Sequence, residues 1–363
     1  MMDAVSKIKT LGAGARFDSC GCSTCIKSDD RIPKTPLQHA IYEANGEGGM
    51  KTKLFKTLMT NSCSYDCRYC NNSSSCRRRS AKAEYTPEEL ARTFKALYND
   101  GSVHGLFLSS GIMPDADTAG ERIVRAAEII RRKYKFRGYI HLKVLPGENY
   151  DLVKRSAELA TRVSINIEAP NKSRMSSLSS AKEYRSDMLR RQGWIRKLVK
   201  RCDVQAGQTT QMVIGAEDET DEEILKMVDW EYEEMDLQRI YFSSFSPVQG
   251  TCLEARKAAD PKREFRLYNC DFLLRKYGYN AKEFRQIMDD GMLPREDPKL
   301  ALARMSFEGH IDVNDITKEE LMRIPGIGPK SAMNILKMRN SGSRLETKKQ
   351  LKKCGVVLNR ALP

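Results

Sequence analysis

From about Lys53 to about Asp260 the chain alternates short apolar runs with amphipathic stretches. The apolar runs predict strands near Leu54–Met59 and at Gly105–Ser109, Tyr139–Val144, Val163–Ile167, Thr209–Ile214 and Arg239–Phe245. A helix is predicted to open at Thr86-Pro87-Glu88-Glu89, with Thr as N-cap, Pro in the first turn and Glu at the third position, and to stop near Asp100-Gly101. Further helical periods cover Glu121–Lys133, Tyr150–Leu159 and Met188–Lys200, and another begins at Thr220 with Glu223 three residues on. Short buried strands separated by helices predict right-handed βα units on a parallel sheet. Six such units imply an α/β fold, a partial (βα)6 TIM-like barrel, although a doubly wound open sheet would give the same string. In both cases ligands sit at the carboxyl ends of the strands.

Beyond Pro261 the strand rhythm ends and the pattern is helical, with a break around Gly291-Met292-Leu293-Pro294. The expected division is a Cys-containing N-terminal segment over 1–50, the barrel over 51–260, a helical connector over 261–300 and an all-α domain over 301–363. In the last, Ile324-Pro325-Gly326-Ile327-Gly328-Pro329-Lys330-Ser331 predicts one helix ending at Pro325, a two-glycine hairpin and a new helix from Pro329. Such a turn aims backbone N–H groups and a helix N-terminus at one place, where an anion can bind. Leu351-Lys352-Lys353-Cys354-Gly355-Val356 reads as a degenerate second hairpin.

Composition sharpens this picture. Sixty-two Lys and Arg against forty-eight Asp and Glu give +14, and the surplus is patchy. Gly326–Pro363 holds nine basic residues and one acidic, while Glu217–Asp236 holds eleven carboxylates and one lysine. A basic patch on a two-glycine hairpin points to a polyanion partner. The opening residues lack the apolar stretch of a signal peptide and no run is long enough to span a bilayer, so the expected setting is cytoplasmic with no membrane partner. Eleven clustered cysteines in that setting favour metal or catalysis over a disulfide framework.

Cys63, Cys67 and Cys70 form C-x3-C-x2-C directly after the first predicted strand. Three thiolates at this spacing can hold a small inorganic core and leave one metal open to a ligand. A zinc site closed by Cys76 and a set of free thiols are the alternatives. Cys20, Cys22 and Cys25 form a second cluster that can carry an auxiliary iron–sulfur cluster or another metal. His141, in a predicted strand, is read as a satisfied polar contact rather than a catalytic base, and no nucleophile or acid–base constellation stands out.

The cysteine motif, with Tyr69 before its last Cys and its place at the head of a βα series, resembles the radical S-adenosylmethionine superfamily. The resemblance implies a 4Fe-4S cluster held by Cys63, Cys67 and Cys70. It also implies S-adenosyl-L-methionine on the fourth iron and reductive cleavage to a 5′-deoxyadenosyl radical, with electrons from a donor such as ferredoxin or flavodoxin. Ser109-Ser110-Gly111 stands where the superfamily often has Gly-Gly-Glu, so a backbone role toward the methionine group carries over without the carboxylate. Asn166 and Glu168 fall where related enzymes contact ribose, and Gly215 begins a turn that passes near adenine. The C-terminal stretch resembles a helix-hairpin-helix motif that grips a nucleic-acid backbone through Gly326, Gly328, Lys330 and Ser331. Together the two parts resemble DNA modification or repair radical SAM proteins, whose members sit beside uracil-DNA-glycosylase-like proteins. That likeness implies action on DNA. Arg77, Arg78 and Arg79, just after the cysteine loop, read either as a hold for a phosphate chain at the barrel mouth or as a solvated charge run. RNA modification by the same chemistry, and a non-catalytic iron–sulfur DNA-binding protein, are the competing readings.

Overall fold

The structure is a computed structural model and describes residues 3–16, 18, 35–45, 51–78, 81–307, 309 and 311–361. Cys20, Cys22, Cys25 and Arg79 lie outside the described residues. The chain divides into two compact units, one of residues 1–219 with 230–261, the other of 220–229 with 262–363.

The first unit begins with helix α1 (Ala4–Ala15) and strand β1 (Ile41–Asn45), followed by β2 (Lys51–Leu58), α2 (Pro87–Asn99), β3 (Gly105–Ser109), α3 (Ala116–Glu128), β4 (Tyr139–Lys143), α4 (Tyr150–Leu159) and β5 (Arg162–Ser164). It continues through α5 (Lys172–Leu178), α6 (Arg190–Arg201), β6 (Gln208–Ile214), α7 (Asp221–Met235), which passes through both units, and β7 (Arg239–Ser244). Among the described residues the sheet order is β1-β2-β3-β4-β5-β6-β7, and every pair from β2 to β7 is parallel. A doubly wound sheet would reverse its strand order at a switch point. The unbroken order therefore selects the partial (βα)6 barrel.

Local signals explain several boundaries. Thr86 accepts from the Glu89 amide while the Glu89 carboxylate accepts from the Thr86 amide, with Pro at the first turn, so α2 starts where predicted. Thr220 and Glu223 form the same box at the head of α7.

Three features depart from the sequence expectation. Helix α1 forms within the N-terminal segment, for which no element was predicted. Gly12 lets it approach Ala40 so closely that an added Cβ would lie 2.6 Å from the Ala40 Cβ. Strand β1 was not expected; it pairs antiparallel with β2, from Ile41 opposite Phe55 to Asn45 opposite Lys51. Third, β5 leaves the ladder after Ser164 instead of running to Ile167. The Thr210 hydroxyl donates to the Ile165 carbonyl at 2.7 Å and accepts from the Ile167 amide at 3.1 Å, so a side chain replaces the strand bond. Glu168 then takes φ +60, which costs a non-glycine residue about 1–2 kcal/mol and turns the segment at the strand ends.

The second unit is helical: α8 (Pro261–Tyr277), α9 (Ala281–Arg285), α10 (Pro298–Ser306), α11 (Lys318–Arg323), α12 (Pro329–Asn340), α13 (Lys348–Lys353) and α14 (Leu358–Ala361). Its core includes Leu321, Ile327, Ala332, Ile335, Cys354 and Val356.

Candidate active site and nucleic-acid interface

At the carboxyl ends of β2 to β7 a cavity opens, and its lining brings together Cys63, Cys67, Cys70, Ser109, Ser110, Gly111, Asn166 and Glu168. These were chosen from sequence positions as far apart as 63 and 168. Gly215 lies outside the lining; its amide donates to Glu219 Oε1 at 2.6 Å and its φ is +85. Cys76 also lies outside it, so no fourth thiol joins the three from that loop.

The cysteine loop is held from several sides. Tyr65 Oη donates to the Pro146 carbonyl at 3.1 Å, and the Arg68 amide donates to the Leu178 carbonyl at 2.9 Å. Asp66 is the principal anchor: its two carboxylate oxygens accept from the Ser179 and Ser180 hydroxyls and from the Ser180 and Ala181 amides. Arg77 fixes its end of the loop through its amide to the Gly250 carbonyl at 2.7 Å, and the side chains of Arg77 and Arg78 are exposed.

The donor set suits a cluster. Backbone amides of Ile112 and Asn72 point at the sulfurs of Cys63 and Cys70, at 3.5 and 3.4 Å, as N–H donors do around iron–sulfur thiolates. Among the described residues no three His, Cys, Asp or Glu side chains close round one point as a single ion requires. Three thiols facing one cavity, with no fourth from the same loop, suit a cluster that keeps one metal open to a ligand. Burial pushes the Cys67 thiol up, and burial with the neighbouring Cys67 charge pushes Cys70 up to about 12. Iron binding must displace those protons. Next to the thiols, the segment Ser109-Ser110-Gly111 passes so close to the loop that a Cβ on Gly111 would lie 2.2 Å from the Ser62 carbonyl oxygen. Only glycine fits there, which keeps the backbone beside the cluster loop.

Several lining residues were not singled out from the sequence. Lys182 is buried, 3.6 Å from Glu168 and within hydrogen-bond reach of Cys67. Burial works against its charge, but the Cys67 and Glu168 charges outweigh it and hold the ammonium protonated. Tyr69 hydrogen-bonds Glu168, and Gln211 and Lys143 face the same space. The signal for Lys143 was available: a lysine inside a central strand of the sheet is costly to bury unless an anion meets it. His141 is buried, with Nε2 and the Ser164 hydroxyl 2.8 Å apart. Burial, then Arg162, Lys143 and Lys56, hold its pKa well below the usual histidine range.

In the second unit the two predicted hairpins interlock. Gly326 takes φ +82 and Gly355 φ +86. The Val357 amide donates to the Gly326 carbonyl at 3.0 Å, and the Ser331 hydroxyl donates to the Gly355 carbonyl at 2.7 Å. A Cβ on Gly326 would meet the Val357 carbonyl oxygen at 2.4 Å, and one on Gly328 the Tyr277 hydroxyl at 3.0 Å. The small size of both glycines thus serves packing within the unit, and the buried Ser331 side chain joins one hairpin to the other. Lys330 is exposed at the start of α12, and Lys352 and Lys353 are exposed at the end of α13. Lys299 clamps the first hairpin through Nζ to the Ile327 carbonyl at 2.6 Å.

Residues 57–230 match the radical SAM superfamily and residues 306–359 match the helix-hairpin-helix motif. Among solved structures, the chain is similar to methylornithine synthase (PylB), at 18% identity and TM-score 0.48, over 60% of this chain and 60% of that one. It is similar to the FeFe-hydrogenase maturase HydG from Carboxydothermus hydrogenoformans, at 14% identity and TM-score 0.46, over 60% and 50%. A third is the radical S-adenosylmethionine methyltransferase TsrM from Kitasatospora setae, at 14% identity and TM-score 0.41, over 54% and 37%. The chain therefore spans less than two thirds of the length of each. No curated protein matches it. The chain carries a radical SAM superfamily domain over residues 57–230, followed by a helix-hairpin-helix motif over residues 306–359.

Proposed function

We propose that this chain cleaves S-adenosylmethionine reductively at a 4Fe-4S cluster held by Cys63, Cys67 and Cys70, and directs the resulting radical at a nucleotide in DNA, as base modification or lesion repair. The observation that carries the first half is the single cavity in which the three thiols meet Ser109–Gly111, Asn166 and Glu168. When bound, the cluster with its S-adenosylmethionine supplies a one-electron source and a carbon radical; an external electron donor is required. The chain's own residues orient and shield. Amides of Ile112 and Asn72 would stabilise thiolate charge, Gly111 keeps its backbone against the cysteine loop, and Glu168 with Lys182 offers paired polar contacts inside the cavity.

Tandem hairpins with nine basic residues to one acidic over Gly326–Pro363 support a nucleic-acid substrate. A base inside a duplex is out of reach of a buried cavity, so the target is expected to be flipped, damaged or single-stranded. The test is 5′-deoxyadenosine release by reduced, anaerobically reconstituted protein with duplex DNA, single-stranded DNA or tRNA. Stimulation by DNA above tRNA supports the reading. Stimulation by tRNA alone replaces DNA with RNA as the substrate class.

A further inference from the structure

The inward face of the barrel carries charge that the cluster chemistry does not use. Lys56 and Lys143 are 5% and 9% exposed, and both ammonium groups meet Asp18. Lys143 is paired with the Asp18 carboxylate, Lys56 donates to the Asp18 main-chain carbonyl, and the Ser109 hydroxyl also bonds the carboxylate. Lys56 Nζ lies 4.7 Å from the Tyr42 ring centroid and 5.4 Å from that of Phe107, so aromatic faces help hold it desolvated. Asp18, Lys143 and Ser109 line the same cavity as the three thiols.

Two buried ammoniums are costly unless an anion meets them, and a fold has no packing reason to place both inside a barrel. Asp18 supplies one negative charge against two positive ones. His141, on the same rung as Lys56 and Phe107, is held neutral by burial and by the Arg162, Lys143 and Lys56 charges, so it adds no charge and the excess stays positive.

We propose that Lys143 and Ser109 form a binding site for a phosphate group of the substrate, with Lys56 adding positive charge from its place on the Asp18 main chain, and that the Asp18 carboxylate holds the phosphate's place in the substrate-free chain. This rests on the nucleotide reading above and adds where the nucleotide is held.

The test is calorimetric titration of the reconstituted chain with inorganic phosphate, with sodium acetate and, separately, with S-adenosylmethionine. Asp18→Ala removes the internal competitor and is expected to bind phosphate about tenfold more tightly than the unaltered chain, the return on one charge-assisted contact. In that background Lys143→Met is expected to abolish the gain and Lys143→Arg to keep it, with S-adenosylmethionine binding unchanged throughout. If melting curves show Lys143→Met unfolded, Lys56→Met in the same background carries the test. Equal phosphate affinity with and without Asp18 overturns the proposal, as does acetate binding without phosphate binding. Loss of S-adenosylmethionine binding in Lys143→Met also overturns it and reassigns the lysine to the cofactor's carboxylate. None of these failures touches cysteine-dependent 5′-deoxyadenosine formation, so the broader reading stands or falls separately.

Discussion

Asp66 offers a way to perturb the cluster loop without touching a ligand. Its Oδ1 accepts from the Ser179 hydroxyl and the Ala181 amide, and its Oδ2 from the Ser180 amide and hydroxyl. Asp66→Ala removes all four bonds between the loop and the turn after α5. The site is only partly buried, so each bond is worth about 0.5–1 kcal/mol after screening, and the four, which share one carboxylate and do not add in full, about 2–3 kcal/mol. That corresponds to roughly 30- to 150-fold in the population of ordered loop. Asp66→Asn keeps the two bonds at the oxygen it retains but turns an amide donor toward the Ser180 N–H, so it should lose about half. Hydrogen exchange of the segment 63–78 and iron content after limiting-iron reconstitution are the measurements. Faster exchange and weaker iron loading in the order wild type, Asn, Ala are expected. Unchanged exchange and full loading in Asp66→Ala would refute the claim that this carboxylate holds the loop in its binding form.

Further outcomes follow from the same contacts. Gly326→Ala combines φ +82 with a 2.4 Å approach to the Val357 carbonyl and should cost ~3 kcal/mol or more, whereas Gly278→Ala, at φ +69 with nothing within 4 Å, should cost ~1 kcal/mol; urea unfolding compares them. Glu231 is buried with one oxygen on Gln192 and the other without a partner, and burial pushes its pKa up to about 8 from an unfolded value of 4.5. A raised pKa stabilises fully below about pH 4.5 and the gain disappears as pH rises to about 8. Glu231→Gln should therefore match wild type at pH 4 and exceed its stability at pH 9 by on the order of 5 kcal/mol, which melting across that range checks. Charge reversal of exposed Lys330, Lys352 and Lys353 should weaken DNA binding and reduce the slope of log affinity against log salt by up to about 3, read by fluorescence anisotropy.

The parallel strands and their order were legible because the strands are buried apolar runs and several helices carry their own start signal, as at Thr86 and Thr220. The cysteine motif was legible because its spacing is local. What escaped the sequence was carried by long-range pairs. Asp66 meets Ser179 and Ser180 across 113 and 114 residues, and Lys143 meets Asp18 across 125. No periodicity reports such pairs. Strand β1 escaped because Ile41-Tyr42-Glu43-Ala44-Asn45 has little β-branched content, and it is placed by pairing with β2 rather than by its own propensity. The glycines of the first hairpin were read as room for a phosphate backbone; their closest neighbours are Val357 and Tyr277, which only the folded unit brings to them.

The central claim is that Cys63, Cys67 and Cys70 hold a cluster that cleaves S-adenosylmethionine. Its most direct test is 5′-deoxyadenosine formation by the reduced, reconstituted protein beside a triple variant carrying Cys63→Ala, Cys67→Ala and Cys70→Ala. The account predicts product from the unaltered chain and none from the variant. Absence of product from the unaltered chain, with cluster and S-adenosylmethionine both shown to be bound, would contradict it and leave a nucleic-acid-binding protein whose cluster is structural.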